Sequence, residues 1–216
     1  MQTISFLKRV LGILIAISSF LPAQDSPAPL IQAIIDNNID KVKKALDNGA
    51  DPNQLTSYGA SPLIQASFTK NIKLVKLLVD GGADINMTTE AFGCPVLASA
   101  GVGSLDITKY FIERKANLNC KDKYGKTPLM KAIYSAHPDV AKLLIDSGAD
   151  VNIKGEADWT ALMFAAMRGD VESVINLIDA GANVNTHAND GETPLQRAEA
   201  LEYNEIVTLL KKAGAK

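Results

Sequence analysis

Gly125-Lys126-Thr127-Pro128-Leu129 opens the stretch that decides the architecture of this 216-residue chain, and Gly148-Ala149-Asp150-Val151-Asn152 closes it. The closing asparagine returns in strict phase: Asn53, Asn86, Asn119, Asn152 and Asn185 stand 33 residues apart. A fixed period of about 20–50 residues marks a stack of repeated units. Inside the unit, Thr127 is placed to cap a helix, and Pro128 then falls at the first helical position, where its missing N–H costs nothing. Leu129 and Ala132 follow on one helical face, and Val140, Leu143 and Leu144 mark the inner face of a second helix. Gly148 stops that helix, because glycine reaches the left-handed backbone conformation cheaply. Each unit therefore reads turn, helix, short turn, helix, then an extended arm.

These residues resemble the ankyrin repeat. Its threonine-proline-leucine start stands at Thr127-Pro128-Leu129 and Thr193-Pro194-Leu195, with a serine cap at Ser61-Pro62-Leu63. Its glycine-alanine-aspartate-x-asparagine end stands at Gly82 to Asn86, at Gly148 to Asn152 and, with Asn183 for aspartate, at Gly181 to Asn185. The resemblance implies an all-α solenoid of about six helix-turn-helix units joined by β-hairpin-like turns, elongated and curved. The units fall at about 29–53, 54–86, 87–119, 120–152, 153–185 and 186–216, one repeat domain over residues 29–216. The family usually carries a histidine after the leucine of its start motif, where it ties neighbouring repeats. Here the matched places hold Ile64, Ala98, Met130, Met163 and Gln196. The tie between repeats is accordingly expected to be apolar packing in most units.

The third unit departs from the pattern. It begins Gly93-Cys94-Pro95-Val96-Leu97, which reads as proline in the capping place, and carries Gly101 and Gly103. Matching Ala100 to Ala66 and Ala132 leaves this unit one residue short before Ile107. Lys115 replaces the terminating glycine. A shortened or loosened first helix at the middle of the stack is expected, either as drift in a tolerant array or as a kink.

The chain begins differently. Lys8 and Arg9 precede an apolar run from Val10 to Phe20, followed by Leu21-Pro22-Ala23. That layout reads as a secretory signal peptide over residues 1–23, with a short leader at 24–28. The run is shorter than the roughly 20 residues that span a bilayer. Cleavage after Ala23 removes Lys8 and Arg9 and no acid, taking the net charge from −2 to −4. Such a balance offers no broad footprint for nucleic acid. A bacterial periplasm is the expected address, with secretion outside the cell as the alternative. No membrane attachment is expected after cleavage, and the chain is expected to act as a monomer. Export would permit a disulfide between Cys94 and Cys120, the only cysteines; two free thiols are the alternative.

Catalytic chemistry finds little support. His137 and His187, the only histidines, fall in turns with no cysteine, serine or second histidine at a nucleophile or metal spacing. Both are expected as exposed turn residues. The glycines follow the repeat and form no phosphate loop, and Asp51, Asp84 and Asp150 recur as turn formers. No catalytic residue, metal or cofactor is expected.

The aromatic residues are more telling, because they are only 6% of the chain. Tyr58, Phe92 and Tyr124 each precede a turn glycine, at spacings of 34 and 32, and Trp159 stands at the comparable turn of the fifth unit. Phe68, Tyr134 and Met167 fall near the ends of first helices. By the resemblance these places lie on the concave side. The seven side chains are expected to line one groove that holds a protein or peptide partner. A secreted effector acting on a host or neighbouring-cell protein would use the same groove. An enzyme using Cys94 or a carboxylate pair lacks a visible paired base.

Overall fold

The computed structural model describes residues 28–216. The expected signal stretch and most of the expected leader lie outside the described residues. Within them the chain forms six helix pairs: α1 (Pro29–Ile35) with α2 (Ile39–Asp47), α3 (Pro62–Phe68) with α4 (Ile72–Asp80), α5 (Pro95–Gly101) with α6 (Leu105–Glu113), α7 (Pro128–Tyr134) with α8 (Pro138–Asp146), α9 (Ala161–Arg168) with α10 (Val171–Asp179), and α11 (Pro194–Ala200) with α12 (Asn204–Lys212). No strand occurs among the described residues. Proline opens every first helix but α9. Before four of these helices a hydroxyl caps the free end: Ser61, Thr127, Thr160 and Thr193 each accept a hydrogen bond from the backbone N–H three residues on, at 3.2, 3.3, 3.4 and 3.2 Å. Gln196 returns a bond to the Thr193 N–H, closing a capping box. The finger turns between pairs close on themselves, as in Asp122 N–H to Lys126 C=O at 3.1 Å and Gly125 N–H to Asp122 C=O at 2.8 Å.

One apolar core runs the length of the stack. Leu63, Leu97, Leu129, Leu162 and Leu195 feed it from the first helices, and Val42, Leu74, Ile107, Val140, Val174 and Ile206 from the second. On α8 the inner face is Val140, Ala141 and Leu144, the last with no exposed surface. Leu143, expected on that face, is partly exposed and does not join the core. A helix turns 100° per residue, so Val140, Ala141 and Leu144 share one arc of the helix surface and Leu143 falls outside it. First helices approach one another more closely than second helices do. This bends the stack so that the first helices and the fingers occupy the inner, concave side.

The tie between units is not apolar packing alone. Each closing asparagine reaches the next unit: Asn53, Asn86, Asn119, Asn152 and Asn185 accept through Oδ1 from the backbone N–H of Asp84, Asn117, Asp150, Asn183 and Lys216, at 2.8–3.0 Å. Asn53, Asn152 and Asn185 also donate from Nδ2 to the carbonyls of Gly82, Gly181 and Gly214. Asparagine carries both a donor and an acceptor on one amide, which this double contact needs. The expectation drawn from the missing histidines is corrected by this ladder.

The third unit is also corrected. Pro95 opens α5 at 33 residues from both Pro62 and Pro128, so it occupies the proline place and Cys94 the capping place. The residue matching Ala66 and Ala132 is then Ser99, which stands the usual eight residues before Ile107. In this register the histidine-matched place is Leu97 rather than Ala98. Helix α5 keeps the seven residues of α3 and α7, so no deletion shortens it. The irregularity lies in the finger, where Gly93 stands one place nearer the proline and pairs with Thr89 in an isolated antiparallel bridge. Cys94 makes no capping hydrogen bond. Its Cα lies 6.3 Å from that of Cys120, and the two sulfurs are in bonding contact, a Cα separation within the disulfide range. Lys115 ends α6 in the left-handed conformation, φ +60°, where Gly49, Gly82, Gly148, Gly181 and Gly214 end the other second helices.

Candidate functional site

The expected groove residues sit on the fingers and first helices, but they form two groups instead of one row. In the first, Phe92 receives Tyr58 and Phe68 edge-on, with ring centres 6.2 and 6.1 Å away. Phe68 and Phe92 cover a small cluster of Ala60, Ile64 and Ala98 that is separate from the main core. In the second, Tyr134 and Trp159 pack on Phe164 at 5.8 and 4.9 Å. Tyr124 stands beside this group and is the most exposed of the rings, at 47%. Met167 is half-buried and turns toward the main core. The break between the groups has a plain cause. The place held by Phe68, Tyr134 and Met167 in their units is Gly101 in the third. The Lys131 stem lies over that glycine, and a Cβ there would stand 3.0 Å from Lys131 Cγ.

Cations are threaded through the second group. Lys126 Nζ lies 4.3 Å from the centre of the Tyr134 ring, 5.7 Å from Phe164 and 5.8 Å from Tyr124. Lys123 Nζ lies 4.9 Å from the Tyr124 ring. The Arg197 guanidinium covers Trp159 at 4.0 Å and binds Asp190 and Glu192 at 2.8 and 3.0 Å. Each is a cation over the negative face of a ring. Arg168 donates from Nη1 to the Tyr134 carbonyl at 2.9 Å. Burial, then repulsion from Lys126, holds the Lys131 ammonium below the usual lysine range. Adjacent fingers are joined through their backbones, Glu156 N–H to Tyr124 C=O at 3.0 Å and Asn189 N–H to Ala157 C=O at 2.9 Å.

Sequence reasoning missed Phe164 and the cations. Both were signalled by one column, since Lys131, Phe164 and Arg197 stand 33 residues apart on α7, α9 and α11. His137 also differs from expectation. It is half-buried in front of α8, with its ring against Gly103, where a Cβ would come into collision with Nδ1. Burial lowers its pKa from 6.5, Lys70 and Arg168 push the same way, and a hydrogen bond to the Gly101 backbone opposes them. His187 is exposed. Among the described residues no three His, Cys, Asp or Glu side chains gather as metal ligands. Among them, too, no helix is long and apolar enough to cross a membrane.

Comparison with known proteins supports the reading of the repeat. A solved ankyrin repeat domain from Acinetobacter baumannii AYE is similar in structure, with a TM-score of 0.79 and 33% identity, covering 87% of this chain and 98% of that one. No curated protein matches the chain. The family profile for ankyrin repeats (3 copies) matches residues 7–89, 87–155 and 153–216. Ankyrin repeats are generally protein–protein interaction modules, typically without enzymatic activity. The period, the helix pairs and these matches agree: the chain belongs to the ankyrin repeat family.

Proposed function

We propose that this chain is an exported, non-enzymatic module that holds a protein or peptide partner on its concave side. The observation that carries the reading is the pair of ring groups on that side, with Tyr58, Tyr124 and Tyr134 at 39%, 47% and 38% exposure. Rigid aromatic side chains bury large area at little entropic cost, and anchors of this kind concentrate binding energy. Tyr58, Phe68, Phe92, Tyr124, Tyr134, Trp159 and Met167 remain the proposed contact residues. Trp159, Phe92 and Met167 also hold up the surface, because each packs on neighbours. The approach of Cys94 and Cys120 favours export, since a crosslink is retained in oxidising compartments. The periplasm is the address we favour.

The test uses the full chain and a variant in which Tyr58→Ala and Tyr124→Ala remove the two exposed finger rings. A partner captured from cell-envelope extract by the parent should bind the variant at least about thirtyfold more weakly, the effect of about 2 kcal/mol expected of an anchor. Thermal melting should hardly move. Equal affinity would place the binding face elsewhere. The mass of the exported chain tests the address: it should begin at or near Gln24, and a full-length, membrane-bound product would refute export.

A further inference from the structure

The charges of the concave side are sorted along the stack, although the chain as a whole is nearly balanced. In the fourth unit, the finger and first helix carry Lys121, Lys123, Lys126 and Lys131 against a single acid, Asp122. The matching stretch of the second unit carries Lys70 and no acid. In the sixth unit the sign reverses: the matching stretch carries Arg197 alone against Asp190, Glu192, Glu199 and Glu202. The cations treat their surroundings differently too. Arg197 is paired with two carboxylates, and Lys154 with Asp158 at 2.8 Å. Among the described residues, Lys126 Nζ and Lys131 Nζ have no ion pair and no hydrogen bond. Their stems are nonetheless held, Lys126 among Tyr124, Tyr134 and Phe164, and Lys131 flat on Gly101. Two fixed ammonium groups of like sign, one of them partly desolvated, raise each other's energy until an anion arrives. One unit back, the place of Gly101 is held by Phe68, which with Phe92 packs on Ala60, Ile64 and Ala98.

From this we infer that the concave side takes an acidic peptide segment, with an aspartate or glutamate carboxylate seated between Lys126 and Lys131 and a neighbouring apolar side chain resting on Phe68 and Phe92. The inference rests on the proposed concave binding face and adds the chemistry of its partner. Charge complementarity selects the class. A carboxylate answers two ammonium groups that form no ion pair among the described residues, Asp122 offsetting only part of the positive charge at Lys131, whereas a basic segment would meet like charge in the fourth unit. Pinned side chains lose little freedom on binding, so the ion pairs should count for more than those of mobile surface lysines.

The experiment pans a displayed library of random peptides on the full-length chain. It then measures each enriched peptide against the parent, against the Lys126→Gln, Lys131→Gln double variant and against the Tyr58→Ala, Tyr124→Ala double variant. Enriched peptides should contain Asp or Glu beside an aromatic or aliphatic residue. They should bind the lysine variant at least tenfold more weakly, weaken as salt is raised, and lose affinity when their acid is replaced by its amide. Peptides that bind the lysine variant as well as the parent, yet fail on the tyrosine variant, would overturn this inference and leave the concave face standing. Peptides insensitive to both variants, or no enrichment at all, would overturn both. Melting of each variant separates lost binding from lost fold, and Lys126→Glu with Lys131→Glu should turn the preference toward basic peptides if the parent's acidic preference is electrostatic.

Discussion

Adjacent leucines on α8 give the sharpest test of how the units pack. Leu144 has no exposed surface, while Leu143 is partly exposed and stands outside the core. Leu144→Ala removes three buried carbons, about 2.4 kcal/mol of transfer free energy at about 0.8 kcal/mol each. Neighbouring units hold the surroundings in place on both sides, so the hole closes only in part and a cavity term adds to this. The total should be about 3–4 kcal/mol, which for a folded region of this size lowers Tm by about 6–16 °C. Leu143→Ala loses only part of the transfer term, and alanine is the better helix former, so its cost should stay near about 0.5–1 kcal/mol. Both variants would be melted and titrated with urea, with helicity followed by circular dichroism. Equal losses, or a larger loss at position 143, would mean that the inward stripe of α8 has been assigned to the wrong face.

Three further outcomes follow from particular residues. Lys115→Gly should stabilise by about 0.5–1 kcal/mol, because a left-handed lysine costs about 1–2 kcal/mol and the added freedom of unfolded glycine returns part of that; an unchanged urea midpoint would show that the lysine is not strained. Since folding lowers the pKa of His137 below 6.5, its contribution is complete above the unfolded value and is lost as pH falls from about 6.5 toward the folded one. Between about pH 7 and about pH 5 the parent should therefore lose more stability than His137→Gln, and parallel pH profiles would refute this. Cys94 and Cys120 should resist thiol reagents in the untreated protein, and reduction should cost about 3.5 kcal/mol for a sequence separation of 26; two readily labelled thiols would refute the pairing.

The repeat was legible from sequence because every unit meets the same local demands. Thr127, Pro128 and Gly148 each act within a few residues of themselves, and their roles follow from capping, fixed φ and left-handed backbone. The asparagines showed their period but not their purpose, since Asn119 acts on a backbone 31 residues ahead. The third unit was misread by aligning alanines, when the proline was the fixed point. The expected row of rings broke at Gly101, where a missing side chain in one unit makes room for a lysine from the next. Phe164 gave no signal as a site residue within its own unit, because its contact with Tyr134 and Trp159 exists only after the units stack. A nearly neutral total concealed the sorting of charge between the fourth and sixth units.

The asparagine ladder has a mechanical consequence. Its rungs at the first, fourth and fifth junctions are double, while those made by Asn86 and Asn119 have the backbone-to-Oδ1 bond alone. A rung joins neighbours and does nothing within its own unit, so it governs how the units share load rather than how each one folds. Pulled by its ends, the array should part first along the two single rungs that flank the third unit, leaving two stiff blocks. The Cys94–Cys120 contact crosses the second of these seams. With that bond made, the fault should confine itself to Asn86; with it broken, the third unit becomes a hinge between the blocks.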